Sequence, residues 1–254
     1  MNKTLVGAAL AGLLAIGALA LTLGGPEQTV EQPSGQRFGL MTSLPIYRAP
    51  QASVAEMLQQ AETEPHWLRS TVEEQNTLDP LDVLDAESLG RIDTLLLVQP
   101  NALTPAEYVA LDNWVRGGGT ALLVTDPMLS SEPGFALGDP RNPQAVSVSG
   151  PIEARWGLRL EPGMSGDGHE RMVEVGDIRL PVVAGGRLTT IPPAGGDSAD
   201  CDLRSEGLIA TCAIGDGHVT VVADATVFED AGASAKKAKA LWFLLGMARD
   251  ARGD

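Results

Sequence analysis

Two aspartates, Asp126 and Asp224, each follow a short apolar run, residues 120–125 and 218–223. If those runs are parallel strands, both carboxylates sit at the strands' carboxyl ends, the edge at which open α/β sheets bind ligands. Asp139 and Glu229 stand on loops that can reach the same rim. Grouped carboxylates can hold a hard cation or act as acid and base. The plainer use is capping: an aspartate before proline, or at a strand end, accepts backbone N–H bonds and fixes a turn. Capping is the favoured reading, and Asp126, Asp139, Asp224 and Glu229 are the candidate ligand-binding set.

Other catalytic signatures are missing. The nearest approach to G-x-S-x-G, residues 163–167, lacks the final glycine and does not join a strand to a helix. Neither cysteine lies between a strand and a helix, so there is no cysteine elbow. There is no G-x-x-x-x-G-K-[ST] and no G-x-G-x-x-G to cradle phosphate. Gly117, Gly118 and Gly119 close a helix rather than open one, the wrong polarity for anions. His66, His169 and His218 have no neighbour at metal-ligand spacing and read as surface or strand residues. Trp67, Trp114, Trp156 and Trp242 read as packing. No catalytic residue, metal ligand or cofactor is therefore assigned.

The elements that position the aspartates centre on residues 92–127. Residues 94–98 (TLLLV) are apolar on both faces, as in a covered parallel strand. Thr104 is an N-cap with Pro105 at the first helical position and Glu107 closing a capping box. Leu103 and Tyr108 suit a hydrophobic staple; Tyr108, Leu111 and Val115 form one helical face, and Asp112 and Arg116 pair weakly on the other side. The glycine triplet stops the helix and residues 120–125 form the next strand, with a right-handed crossover. Residues 38–41 suggest a first strand ended by the turn at 43–45, and residues 53–60 a capped helix. Beyond Pro127 come a loop, to Pro143, and short runs punctuated by Gly176-Asp177, Gly185-Gly186 and Gly215-Asp216-Gly217, each a hairpin signal. Residues 233–249 are a closing helix. The expected fold is α/β: a mainly parallel sheet with added antiparallel hairpins.

Residues 5–23 are apolar or small, preceded by Lys3 and followed by Glu27 and Glu31. About 20 such residues span a bilayer core, and the flanking charge puts the amino terminus inside. Ala18-Leu19-Ala20 also has the form of a signal-peptide cleavage site. Residues 1–26 are thus a transmembrane anchor or a signal peptide, 27–37 a linker and 38–250 one domain. Either way the domain lies outside the cytoplasmic membrane: periplasmic and tethered, or secreted after cleavage. With 33 acidic against 18 basic residues, nucleic acid is not an expected partner. The membrane link is the N-terminal helix. In an oxidising compartment the two cysteines, Cys201 and Cys212, suggest a disulfide.

The central unit resembles the auxiliary domain of uncharacterised ABC-type transport systems, related to the gliding-motility auxiliary protein. The matching residues are Pro100, Leu103, Thr104, Glu107, Leu111, Asp112, Val115, Gly118, Gly119, Asp126 and Pro127; the segments at 42–47, 138–143, 155–161 and 222–230 look like a bacterial, membrane-anchored branch. The resemblance covers roughly residues 38–248. It implies a three-layer, glutamine-amidotransferase-like (flavodoxin-like) sandwich without amidotransferase catalysis. It also implies an accessory role beside ABC transporter subunits or other envelope proteins. The chain departs from larger members in having no second hydrophobic span, since the run at 241–247 is too short.

Overall fold

The computed structural model describes residues 32–47, 64–130, 134–136, 138–163 and 169–250. The expected membrane segment and the expected helix at 53–60 lie outside the described residues. Among the described residues, no helix is long and apolar enough to cross a membrane.

The strands are, in chain order, β1 (Arg37–Thr42), β2 (Thr77–Pro80), β3 (Thr94–Val98), β4 (Thr120–Val124), β5 (Leu158–Glu161) and β6 (Arg171–Val175). They continue with β7 (Ile178–Val182), β8 (Arg187–Thr190), β9 (Asp200–Arg204), β10 (Ile209–Ile214) and β11 (Gly217–Val222). The helices are α1 (Trp67–Glu73), α2 (Ala86–Leu89), α3 (Pro105–Arg116), α4 (Gly150–Arg155), α5 (Thr226–Glu229) and α6 (Ala235–Asp250).

Seven strands form one sheet in the order β2-β1-β3-β4-β11-β10-β9. The pairs from β2 to β11 are parallel; β11–β10 and β10–β9 are antiparallel. β3 and β4 are buried along their whole length, as central parallel strands covered on both faces must be. Strand alternation divides their side chains. Leu95, Leu97, Ala121 and Leu123 pack with Leu111 and Val115 of α3 and with Ile152 and Trp156. On the opposite face Phe38 of β1 meets Trp242 of α6 edge to face, ring centres 6.1 Å apart. Helices therefore cover both faces.

The crossover from β3 to β4 follows the expectation closely. The Thr104 hydroxyl accepts from the Glu107 N–H at 3.3 Å, and the Thr104 N–H donates to Glu107 Oε2 at 2.7 Å. Gly118 ends the helix with φ +107°, which a side chain would resist.

Two expectations need correction. The Gly185-Gly186 pair makes no hairpin: β8 pairs antiparallel with β5, 26 or more residues back, while among the described residues β6 and β7 pair only with each other. Asp112 does not sit on a solvent face. It is 5% exposed and receives bonds from Arg116 Nε (3.0 Å), Arg155 Nε (2.8 Å) and Trp156 Nε1 (3.1 Å). Contact with α4 covers that flank of α3, and a carboxylate there is tolerable because two cations and an indole N–H satisfy it.

Candidate functional site

β4 and β11 lie side by side, with Val124 opposite Val222. Two residues past each strand end stand Asp126 and Asp224, 0% and 4% exposed. Asp126 Oδ1 accepts from the Met128 N–H and Oδ2 from the Ala225 N–H, both at 2.8 Å. Asp224 Oδ1 accepts from the Thr226 N–H at 2.9 Å and Oδ2 from the Val183 N–H at 3.1 Å. Each carboxylate thus fixes its own turn with one oxygen. With the other, Asp126 ties β4 to the turn after β11, and Asp224 ties β11 to the exit of β7.

A third strand end joins them. Gln99, just past β3, is 1% exposed and has φ +43°. Its Oε1 accepts from the Asp126 N–H at 2.8 Å; its Nε2 donates to the carbonyls of Asp126 (3.2 Å) and Gln144 (2.8 Å). These bonds hold a non-glycine residue in the left-handed region, which costs of order 1 kcal/mol or more. The Ser43 hydroxyl, past β1, donates to the Gln99 carbonyl at 2.6 Å and accepts from the Gln144 N–H at 2.9 Å. The sheet reverses its direction of growth between β1 and β3, where a ligand crevice is normally found. Ser43, Gln99 and Gln144 bond to one another across it. Deeper in, the Thr125 hydroxyl, itself in contact with the Ser147 hydroxyl, donates to Glu153 Oε1 at 2.8 Å.

Burial raises the carboxyls of Asp126 and Glu153 above their ordinary range. Burial, reinforced by the nearby Asp126 charge, pushes Asp224 up to about 7. Two desolvated carboxyls side by side resist double ionisation, and the N–H donors offset only part of that.

Glu229 also joins the rim: Oε1 accepts from the Ser130 N–H (3.2 Å) and hydroxyl (2.9 Å), and its charge acts on Asp126. Asp139 takes a different course. Both its oxygens bind Arg141, two residues along its own exposed loop, and these bonds pull its carboxyl down to about 2. Among the described residues, no group of three or more His, Cys, Asp or Glu is placed to hold a metal ion. Cys201 and Cys212 face each other across β9 and β10 and are joined as a disulfide. His66, read as a surface or strand residue, is 6% exposed and caps α1: Nδ1 accepts from the Leu68 N–H, and Nε2 lies 3.1 Å from the Phe228 carbonyl. Burial lowers it to about 4.

Sequence reasoning missed Ser43, Gln99, Gln144 and Glu153. Only Gln99 carried a signal, as a polar residue ending a wholly apolar strand. Glu153 in "GPIEARWG" looks like any solvent-facing helical glutamate.

Solved structures with similar chain traces include the exo-β-1,4-mannosidase Op5Man5 from Opitutaceae bacterium strain TAV5, with 10% identity and TM-score 0.43 over 76% of this chain and 31% of that one. The mmIFT52 N-terminal domain matches at 15% identity and TM-score 0.47 over 87% and 99%. A putative ThuA-like protein from Bacteroides uniformis ATCC 8492 matches at 11% identity and TM-score 0.41 over 89% and 94%. The chain spans about a third of the mannosidase. No curated protein matches it. Residues 54–245 match a domain of unknown function, DUF4350, so the chain belongs to that family.

Proposed function

We propose that the chain is a non-enzymatic accessory domain that recognises a partner outside the cytoplasmic membrane, to which its N-terminal segment tethers it. The observation that carries this reading is the state of the strand-end rim. All four carboxylate oxygens of Asp126 and Asp224 accept backbone N–H bonds, and both residues are buried. Carboxylates so engaged hold loops together; they do not face a substrate. The Cys201–Cys212 disulfide suits an oxidising compartment. The doubly covered sheet is compatible with a three-layer, glutamine-amidotransferase-like sandwich that has kept the scaffold without the chemistry. The motif resemblance extends the proposal to an accessory role beside an ABC-type transport system, with transporter subunits or other envelope proteins as partners and no cofactor.

Crosslinking in intact membranes followed by pull-down of the full chain should recover a membrane or envelope protein; repeated recovery of none would contradict the reading. Asp126→Asn and Asp224→Asn should lose function only in step with stability. A variant that folds as stably as the wild type yet loses function would favour a carboxylate-dependent hydrolase instead.

A further inference from the structure

The hairpin of β6 and β7 stands apart from the main sheet and borders a half-open groove of about 680 Å³, within the range of about 300–1,000 Å³ usual for ligand pockets. Four successive β6 residues line it, Arg171, Met172, Val173 and Glu174, facing Gly186 and Arg187. Successive strand residues point to opposite faces. A strand that lines a groove with all of them presents its edge.

The register shows which backbone groups that edge offers. Gly176 and Asp177 form a two-residue turn closed by Val175 and Ile178. Such a closing pair is hydrogen-bonded, and bonding alternates from there. Arg171, Val173 and Val175 therefore turn their N–H and C=O groups towards β7, while Met172 and Glu174 turn theirs outward. Two facts agree. Pro181, which has no N–H, lies opposite Met172. The Ser205 hydroxyl donates to the Glu174 carbonyl at 3.1 Å, from the groove side. The Met172 N–H and C=O and the Glu174 N–H remain outward. β8 offers no rival edge: Gly207 lies so near that a Cβ on it would be 2.6 Å from the Leu188 carbonyl oxygen.

The charges select the occupant. Arg171 and Arg187 line the groove and have no ion-pair partner among the described residues. Glu174 pairs at 3.8 Å with Arg179, leaving Glu206 as the opposing charge on the lining. Among the described residues the lining thus offers two arginines without ion-pair partners against one such glutamate, on a chain of net charge −15. Met172, 46% exposed, adds an apolar contact.

We propose that the outer edge of β6 receives an extended, acidic segment of a partner protein as an added strand. Main-chain bonds to Met172 and Glu174 would supply affinity, and Arg171 and Arg187 the preference for acidic side chains. This rests on reading the chain as a recognition domain and names the face it uses.

The test uses the full-length chain in detergent with a blocked octapeptide of alternating valine and glutamate. The expected result is binding by fluorescence anisotropy, with slowed amide exchange at Met172 and Glu174. A valine–lysine peptide should bind at least tenfold more weakly. Met172→Pro, which removes an outward N–H and leaves the β6–β7 ladder intact, should weaken binding at least tenfold, as should Arg187→Glu, which leaves the backbone untouched. No binding, equal binding of both peptides, or binding unchanged in both variants would overturn the proposal. A partner crosslinked in membranes as efficiently by Met172→Pro would also overturn it while leaving the recognition reading in place. Failure to crosslink any partner would remove that reading, and this proposal with it.

Discussion

The strand-end rim and the β6 groove lie back to back and have opposite characters. At the rim, Asp126, Asp224 and Gln99 are at most 4% exposed, and their side chains fasten the ends of three strands. At the groove, strand-edge amides face outward between two arginines that have no ion-pair partner among the described residues. Gly185 is the wall between them: it lines the groove, and a Cβ on it would lie 2.8 Å from Asp224 Oδ2. The difference teaches that charged residues at the expected ligand edge of an α/β sheet can be fully engaged in hydrogen bonds within the fold, while the exposed strand edge, where we propose that a partner docks, lies on an appended hairpin.

Substitutions can break or sharpen that contrast. The largest effect is expected from Asp126→Ala. It strands the buried Ala225 amide and the part-buried Met128 amide, and a buried donor left without a partner costs about 1–3 kcal/mol. Chemical denaturation should show a loss of about 3–4 kcal/mol; a loss below about 1 would mean the rim is not fastened as described.

The next effect is in pH. Asp224 is raised from 3.8 to about 7 in the folded chain, so the folded state binds more protons than the unfolded one between those values. Its favourable contribution is full below pH 3.8 and is lost as pH rises through 7. Relative to wild type, Asp224→Asn should therefore gain stability as pH rises from 4 to 7, by about 2–3 kcal/mol in all. His66 titrates in the opposite sense, since its lowered pKa removes stability as pH falls from 6.5 towards 4. Its contribution is common to both proteins and cancels in the comparison. A stability difference flat across pH 4–7 would deny the raised Asp224.

Gly185→Ala tests the wall. Its Cβ would meet Val182 Cγ1 at 2.7 Å as well as Asp224, and overpacking of this kind costs about 1–3 kcal/mol. The smallest effect belongs to the groove itself. Arg187→Ala should shift stability by no more than about 0.5 kcal/mol, as exposed side chains without partners do.

Much of the fold was legible because its signals are local. The apolar runs of β3 and β4, the Thr104–Glu107 capping box and the glycine stop place strand, helix and strand without any knowledge of the rest. The antiparallel β10–β11 hairpin was marked in the same way. The pairing of β5 with β8 was not, since nothing in either four-residue strand names a partner so distant in sequence. The site divides similarly. Asp126 and Asp224 could be placed at strand ends, and capping could be favoured, from residue type alone. Their mutual repulsion, the Gln99 bridge and the inward turn of Asp112 depend on which elements pack together. Asp139 bonds Arg141, two residues along its own loop, a local contact that competes with any reach towards the rim and that residue type alone does not signal.

Native-state amide hydrogen exchange compares the two regions in one measurement. The Ala225 and Val183 amides, held by buried carboxylates, should exchange only through opening close to global unfolding. In the free protein the outward Met172 and Glu174 amides should exchange faster by orders of magnitude. Rim amides that exchange as fast as those of the β6 edge would contradict the claim that Asp126 and Asp224 serve as fastenings.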